Sequence, residues 1–197
     1  ILITGITGQD GSYLAEVLLQ KGWRVVGLTR KVSSRSFWRI ANVIDQIEII
    51  EGDITDLSSL IRIFTTIKPT QIYNLAAQSF VPTSWEQPIL TANVTGMGAL
   101  NVFEAARICC PNARIYQASS SEMFGLQPQD SRQNEQTPFH PRSPYGCAKA
   151  YAHHIAVNYR ESYGMFIACG ILFNHESERR GQQFVTRKIA IAAARIS

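Results

Sequence analysis

Apolar residues occur along this chain in two alternating kinds of run. Short stretches that are apolar almost throughout read as buried strands: Ile1 to Thr4, Arg24 to Thr29, Ile47 to Ile50, Gln71 to Leu75, Arg114 to Gln117 and Met165 to Phe173. Between them, apolar residues recur at helical spacing. Tyr13, Leu14, Val17 and Leu18 mark one helix, and further patterns run over Leu57 to Ile67 behind an Asp56 cap, Ile89 to Cys110, Tyr145 to Tyr163 and Phe184 to Ile196. Strands with no polar face need cover on both sides, and strands separated by helices pair in parallel through right-handed crossovers. The pattern therefore predicts an α/β fold, a doubly wound parallel sheet in three αβα layers. No repeat or linker-like stretch interrupts it. The longest irregular segment, Gly125 to Pro144, carries four of the eight prolines, and a loop that long in a compact domain is usually functional.

Composition narrows the functional classes. The 197 residues are 45% hydrophobic and 17% charged, which excludes a disordered chain. The net charge of +4 is spread out apart from Arg30, Lys31 and Arg35 near the start and Arg179, Arg180, Arg187 and Lys188 near the end. That distribution predicts two local anion sites and no nucleic-acid face. No apolar run reaches the ~18 residues of a membrane span and no basic leader precedes the first strand, so the expectation is a cytoplasmic protein. Cys109, Cys110, Cys147 and Cys169 lack metal or redox spacing and are expected reduced and structural. His153 and His154 diverge on their helix, and no metal site is expected. Trp23, Trp38 and Trp85 are expected as packing residues. A chain that begins inside an apolar run and stops inside a helical pattern reads as a piece of a longer protein.

Gly5-Ile6-Thr7-Gly8-Gln9-Asp10-Gly11 places three glycines between the first strand and the first helix. Without side chains at Gly5 and Gly8 a backbone can approach a pyrophosphate, Gly11 lets helix and strand pack closely, and the helix N-terminus supplies free N–H groups. An NAD-specific site places a carboxylate at the end of the second strand, about 20 residues on. Here Thr29 is followed by Arg30, Lys31, Val32, Ser33, Ser34 and Arg35, cations and hydroxyls suited to a 2′-phosphate, so NADP is favoured over NAD. Asp53, at the end of the third strand, suits either an adenine edge or a turn.

Tyr145 and Lys149 stand four residues apart on one helix face. A free tyrosine is a poor base near neutrality, whereas a neighbouring ammonium stabilises the phenolate and can hold a nicotinamide ribose. Ser119-Ser120-Ser121 at the end of the fifth strand lies where ligands bind in open α/β sheets.

The glycine turn, the segment Leu75 to Ser79 and the YxxxK pair resemble the extended short-chain dehydrogenase/reductase family. Within it, the strings TGITGQDGSYLAE, IYNLAAQS, YQASSSEMFG, PFHPRSPYG, VNYRESYGM and GILFNHES resemble the GDP-mannose 4,6-dehydratases along essentially the whole chain. The resemblance implies a Rossmann domain over 1–197, with 174–197 beginning a substrate-binding part whose remainder lies beyond this chain. It implies a lyase of GDP-fucose biosynthesis that converts GDP-mannose to GDP-4-keto-6-deoxymannose, with NADP reduced and reoxidised within one cycle. Its catalytic residues would be Tyr145, the base at O4, with Lys149 as electrostatic partner, Ser120 where the family usually has Thr, and Glu122, the carboxylate that removes the C5 proton. NADP would meet Gly5, Thr7, Gly8, Gln9, Asp10, Gly11, Arg30, Ser33, Asp53, Ile54, Leu75, Ala76, Ala77, Gln78, Ser79, Leu90, Tyr145, Lys149, His175 and Arg180. The sugar nucleotide would meet Ser79, Ser120, Glu122, Asn174, Val185 and Lys188. A homodimer or homotetramer is implied, through a four-helix bundle of the helices at Ile89 to Cys110 and Tyr145 to Tyr163. Leu90, Cys147, His154 and Glu178 depart from the usual pattern without removing a catalytic group. Two further readings stand beside the dehydratase: an NADP-dependent reductase or epimerase of the same superfamily, and a non-catalytic NADP-binding fragment.

Overall fold

The computed structural model describes residues 1–31, 36–128 and 132–196. Six parallel strands form one sheet in the order β3-β2-β1-β4-β5-β6. They are β1 (Leu2–Thr4), β2 (Val26–Thr29), β3 (Glu48–Glu51), β4 (Gln71–Asn74), β5 (Arg114–Ser120) and β6 (Ile167–Leu172). Every strand lies where the apolar runs predicted one. β2 and β6 are shorter than predicted, and β5 extends three residues further, to Ser120.

Successive residues of a strand face opposite sides, and β1 shows how this divides the core. Leu2 packs with Leu60, Phe64, Val102, Phe103 and Ala152 of three helices on one face, while Ile3 packs with Ala15, Leu18 and Ile40 on the other. The three helices are α2 (Leu57–Ile67), α5 (Gly98–Cys109) and α6 (Pro144–Tyr163), and α1 (Gln9–Gln20) lies opposite them. The result is the expected three-layer, doubly wound sheet. Asp56 caps α2 by accepting the Ser59 amide at 3.2 Å, and Ser143 caps α6 by accepting the Gly146 amide at 3.0 Å, with Pro144 in its first turn.

Three features depart from the sequence reading. The β2 to β3 crossover contains a 3-10 helix, Trp38–Gln46, rather than no helix. The expected helix at Ile89 to Cys110 is a continuous run in three parts, α4 (Pro88–Thr91), a π-helical stretch Ala92–Met97 and α5, preceded by a short α3, Val81–Glu86. Trp23, Trp38 and Trp85 are not core residues: they are 44%, 53% and 63% exposed, and the Arg39 guanidinium lies over the Trp38 ring at 4.4 Å. The last helix, α7 (Val185–Ile196), buries none of its residues among the described ones. All four cysteines are free, and no described helix is long and apolar enough to cross a membrane.

Candidate active site

The sheet order reverses between β1 and β4, so their C-terminal ends diverge and leave a crevice. A cleft of about 980 Å³ opens there. Its first wall is the turn between β1 and α1. Gly5 has φ +72°, and a Cβ on Gly11 would lie 2.4 Å from the Gly5 carbonyl oxygen, so a side chain at either position would open the turn. The N-cap of α1 is Gly8, which places no side chain on the first amides of the helix, and these are the groups that bind an anion. Asp10 in that turn opposes an anion, and His175 offsets it, with Nε2 2.7 Å from Asp10 Oδ1. The Phe173 carbonyl at His175 Nδ1, followed by Asp10, raises the imidazole pKa above its ordinary value against the effect of burial. Thr29 Oγ1, at the end of β2 and on the cleft wall, is buried without a hydrogen-bond partner among the described residues. A cradle closed to side chains, open helix amides and an unsatisfied buried hydroxyl fit a dinucleotide.

The second wall carries the reactive groups. Ser120 ends β5, Glu122 follows in the 3-10 turn Ser121–Met123, and Tyr145 and Lys149 come from the first two turns of α6. A Cβ on Gly146 would lie 2.7 Å from the Glu122 carbonyl oxygen. Glycine there lets α6 press against the Glu122 turn and brings phenol and carboxylate to one place. Ser120 Oγ accepts the Glu122 amide at 3.2 Å. Tyr145, Lys149 and Ser120 are buried, and Glu122 is exposed on the cleft. Burial is the largest influence on the Tyr145 phenol and raises its pKa, while a hydrogen bond with Ser120 lowers it. Burial pulls Lys149 down from 10.5 to about 8, and Asp10 acts the other way. The ammonium donates to the Ala118 carbonyl at 2.6 Å and stands 5.8 Å from the centre of the Tyr145 ring.

Of the residues singled out in the sequence, Gly5, Thr7, Gly8, Gln9, Asp10, Gly11, Arg30, Ile54, Leu75, Ala76, Ala77, Gln78, Ser79, Leu90, Ser120, Glu122, Tyr145, Lys149, Asn174, His175, Arg180, Val185 and Lys188 all line this one cleft. Asp53 does not. It lines an adjoining depression of about 460 Å³ with Arg30, Lys31, Glu51, Gly52, Ser59 and Arg62, and its carboxylate accepts the Thr55 amide at 2.9 Å and the Thr55 hydroxyl at 2.8 Å. Ser33, and with it Arg35, lies outside the described residues.

The basic pair near the chain end divides. Arg180 lines the cleft, whereas Arg179 turns back to α1 and donates to Glu16 at 2.6 Å and to Ser12 at 3.1 Å. Arg39, unnoticed in the sequence, lines the cleft and ties it together, donating to the carbonyls of Arg179 at 2.8 Å and Thr7 at 3.3 Å. No motif marks Arg39, because its acceptors are backbone carbonyls distant in sequence.

The family model described as GDP-mannose 4,6 dehydratase matches residues 2–197. The GDP-mannose 4,6-dehydratase of Yersinia enterocolitica is 54% identical over 100% of this chain and 55% of its own length. The human GDP-mannose 4,6 dehydratase is 50% identical over 99% of this chain and 55% of its own. The chain thus spans about half the length of the curated relatives it matches. Among solved structures, the Thermus thermophilus UDP-glucose 4-epimerase in complex with NAD superposes with a TM-score of 0.86 at 30% identity, over 99% of this chain and 61% of the other. The Streptomyces venezuelae dTDP-glucose 4,6-dehydratase with NAD and TYD bound shares the fold, with a TM-score of 0.89 at 21% identity, over 100% of this chain and 62% of that one. With a family match across nearly all its residues and a Rossmann cleft that gathers the resemblance's residues, this chain belongs to the GDP-mannose 4,6-dehydratase family.

Proposed function

We propose that the protein of which this chain forms the nucleotide-binding part is a hydro-lyase that converts GDP-mannose to GDP-4-keto-6-deoxymannose with NADP. The observation that carries this reading is the presence of Glu122 on the same cleft wall as Ser120, Tyr145 and Lys149. An oxidoreductase or epimerase needs the last three; an acid/base carboxylate beside them is what a dehydration adds.

When bound, the nicotinamide supplies a reversible hydride acceptor. The protein's part is to move protons and hold geometry. Tyr145 takes the proton of the C4 hydroxyl, Ser120 hydrogen-bonds that oxygen, and the Lys149 ammonium favours the phenolate that burial disfavours. Once C4 is a ketone the neighbouring C5 hydrogen is acidic. Glu122 removes it and, now protonated, delivers a proton to the departing C6 hydroxyl, which leaves as water. Glu122, reprotonated from solvent as Tyr145 releases the proton it took, then returns a proton to C5 as return of the hydride saturates C6.

The adjoining depression brings Arg30, Lys31 and Arg62 to the end of β2 and β3. Against the two carboxylates Glu51 and Asp53 these three cations leave the depression net positive, which favours an adenosine 2′-phosphate and hence NADP over NAD. Asn174, Val185 and Lys188 open the substrate part that 174–197 begin, and α5 with α6 form the face of a dimer or tetramer. The compartment assigned to this reading is the cytoplasm. Incubating the full-length protein and NADP with GDP-mannose should give the 4-keto-6-deoxy sugar nucleotide with no net cofactor consumption; stoichiometric consumption of reduced cofactor would instead mark a reductase.

A further inference from the structure

Parallel strands buried on both faces are ordinarily apolar, yet near the C-terminal ends of β1, β4 and β5 buried polar side chains bond to one another. Thr4 of β1, Asn74 of β4 and Gln117 of β5 are 0%, 2% and 2% exposed. They form one directed ladder. The amides of Leu75 and Ala76 both donate to Thr4 Oγ1 at 3.1 Å. The Thr4 hydroxyl donates in turn to Asn74 Oδ1 at 2.6 Å. Asn74 Nδ2 donates to Gln117 Oε1 at 2.7 Å, and Gln117 Nε2 donates to the Ala118 carbonyl at 3.1 Å. Because Thr4 Oγ1 already accepts two amides, its proton must go to an oxygen, and this sets the orientation of both side-chain amides.

The ladder ends at the carbonyl that receives Lys149. Pairing between β4 and β5 stops at Asn74 and Gln117, and the Ala118 oxygen beyond it takes both the Gln117 amide and the Lys149 ammonium, the latter at 2.6 Å. At the other end, Ala76 N lies 2.9 Å from where a Gly5 Cβ would be, against the phosphate-binding turn. A buried polar network is costly unless every member is satisfied, and a satisfied one rigidifies its surroundings. Here it joins the glycine turn to the seat of the catalytic lysine across three strands.

We propose that Asn74 and Gln117 are positioning residues that act through the Ala118 carbonyl to hold the Lys149 ammonium in place and in its charged form. The catalytic consequence rests on the role given to Lys149 above; the structural one does not. Charged and titratable groups toward Lys149 are Asp10 of α1, which favours the ammonium, and Tyr145 of its own helix, on which Glu122 and Arg180 also act. The Gln117 amide and the Lys149 ammonium both donate to the Ala118 oxygen, so the ladder acts by fixing that carbonyl and not by its own charge. Without it the carbonyl is free to turn from Lys149, and loss of this acceptor, with Asp10 and Tyr145 unchanged, lowers the proton affinity of Lys149.

The test is a double variant, Asn74→Leu with Gln117→Met, which removes both amides together, so that neither faces the other's loss, and leaves the Thr4 hydroxyl as the one ladder donor without its acceptor. In intact, cofactor-free protein carrying 13Cε-labelled lysine, the Lys149 signal, assigned by its loss in Lys149→Arg, is titrated by NMR. The expected result is a midpoint lowered by at least about one pH unit, with Ile72→Val, which loosens β4 without touching the ladder, leaving the midpoint where it is. In the full-length enzyme kcat should fall roughly tenfold while KM for GDP-mannose stays within about twofold, because an interaction used in the reaction is lost and sugar binding is not. If the double variant does not fold, Gln117→Met alone is read in the same way. An unchanged midpoint, or an equal shift in Ile72→Val, overturns the proposal. Undiminished turnover in Lys149→Met would instead overturn the role of Lys149 and leave the ladder result standing.

Discussion

Lys149 shows function and stability opposed at a single residue. Burial takes its pKa from 10.5 to about 8. Between those values the unfolded chain binds a proton that the folded chain lacks, so stability rises with pH across this window, and the full cost is present below it. Lys149→Met should therefore stabilise the cofactor-free protein at neutral pH by on the order of 3 kcal/mol and remove that rise, as read by denaturant titrations from pH 7 to pH 10; a destabilised variant with the slope intact would contradict this. Gly146 carries the opposite kind of constraint, since a Cβ there would press on the Glu122 carbonyl. Gly146→Ala should lower turnover of the full-length enzyme roughly 10- to 100-fold by displacing the carboxylate from the phenol, with cofactor affinity retained in calorimetry. The spacing of Tyr145 and Lys149 was legible in the sequence because a helix puts residues i and i+4 on one face. The seat of Lys149 on a backbone carbonyl was not, because a carbonyl has no residue type to betray it.

Among the elements, the segment following β6 folds back over the head of α1. His175 pairs with Asp10, Ser177 donates to Gln9 at 2.9 Å, Tyr13 donates to Glu178 at 2.6 Å, and Arg179 reaches Ser12 and Glu16. The segment thereby closes one side of the phosphate-binding turn. Because the folded-state pKa of His175 is raised, its contribution to stability is fully present below the unfolded value of 6.5 and is lost as pH rises through the folded value. His175→Ala should abolish the pH dependence of stability in the window just above 6.5, measured by thermal melts at closely spaced pH; an unchanged dependence would mean that another group titrates there. Arg179→Ala should cost about 1.5 to 3 kcal/mol, the range for a hydrogen bond to a charged group, because the Arg179 and Glu16 side chains are only 12% and 23% exposed. None of these contacts has a local signature: Arg179 and Glu16 are 163 residues apart. The limits of α2, by contrast, were legible from the Asp56 cap and the apolar spacing behind it. The 3-10 helix Trp38–Gln46 was missed although Phe37, Ile40, Val43 and Ile44 recur at helical spacing and pack on the core, because the run is short and only Ile40 is fully buried.

At the scale of the whole molecule, strand order brings two chemistries to one crevice. In the proposed function the β1 turn and the β2 end form the anion cradle and the ends of β5 and α6 the proton-transfer wall, and residues as far apart as Gly5 and Lys188 line this one cleft. Apolar runs separated by helices were enough to read the layers and the parallel sheet. The pairing of Asn74 with Gln117 was not readable, since it depends on which strands become neighbours. Cofactor preference belongs to this scale as well. Arg30→Asp should weaken NADP by about 1.5 to 3 kcal/mol and leave NAD nearly unaffected in calorimetry; equal losses would place the 2′-phosphate elsewhere. The central claim is that Glu122 makes this fold a dehydratase, and single-turnover kinetics of Glu122→Gln in the full-length protein test it most directly. The amide keeps the shape but cannot take the C5 proton, so GDP-mannose should be oxidised at C4 and stall there. Reduced-nicotinamide absorbance should then persist, solvent deuterium should stay out of C5, and product formation should slow by about 10² to 10⁴. Dehydration at the wild-type rate, with deuterium still entering C5, would contradict the account.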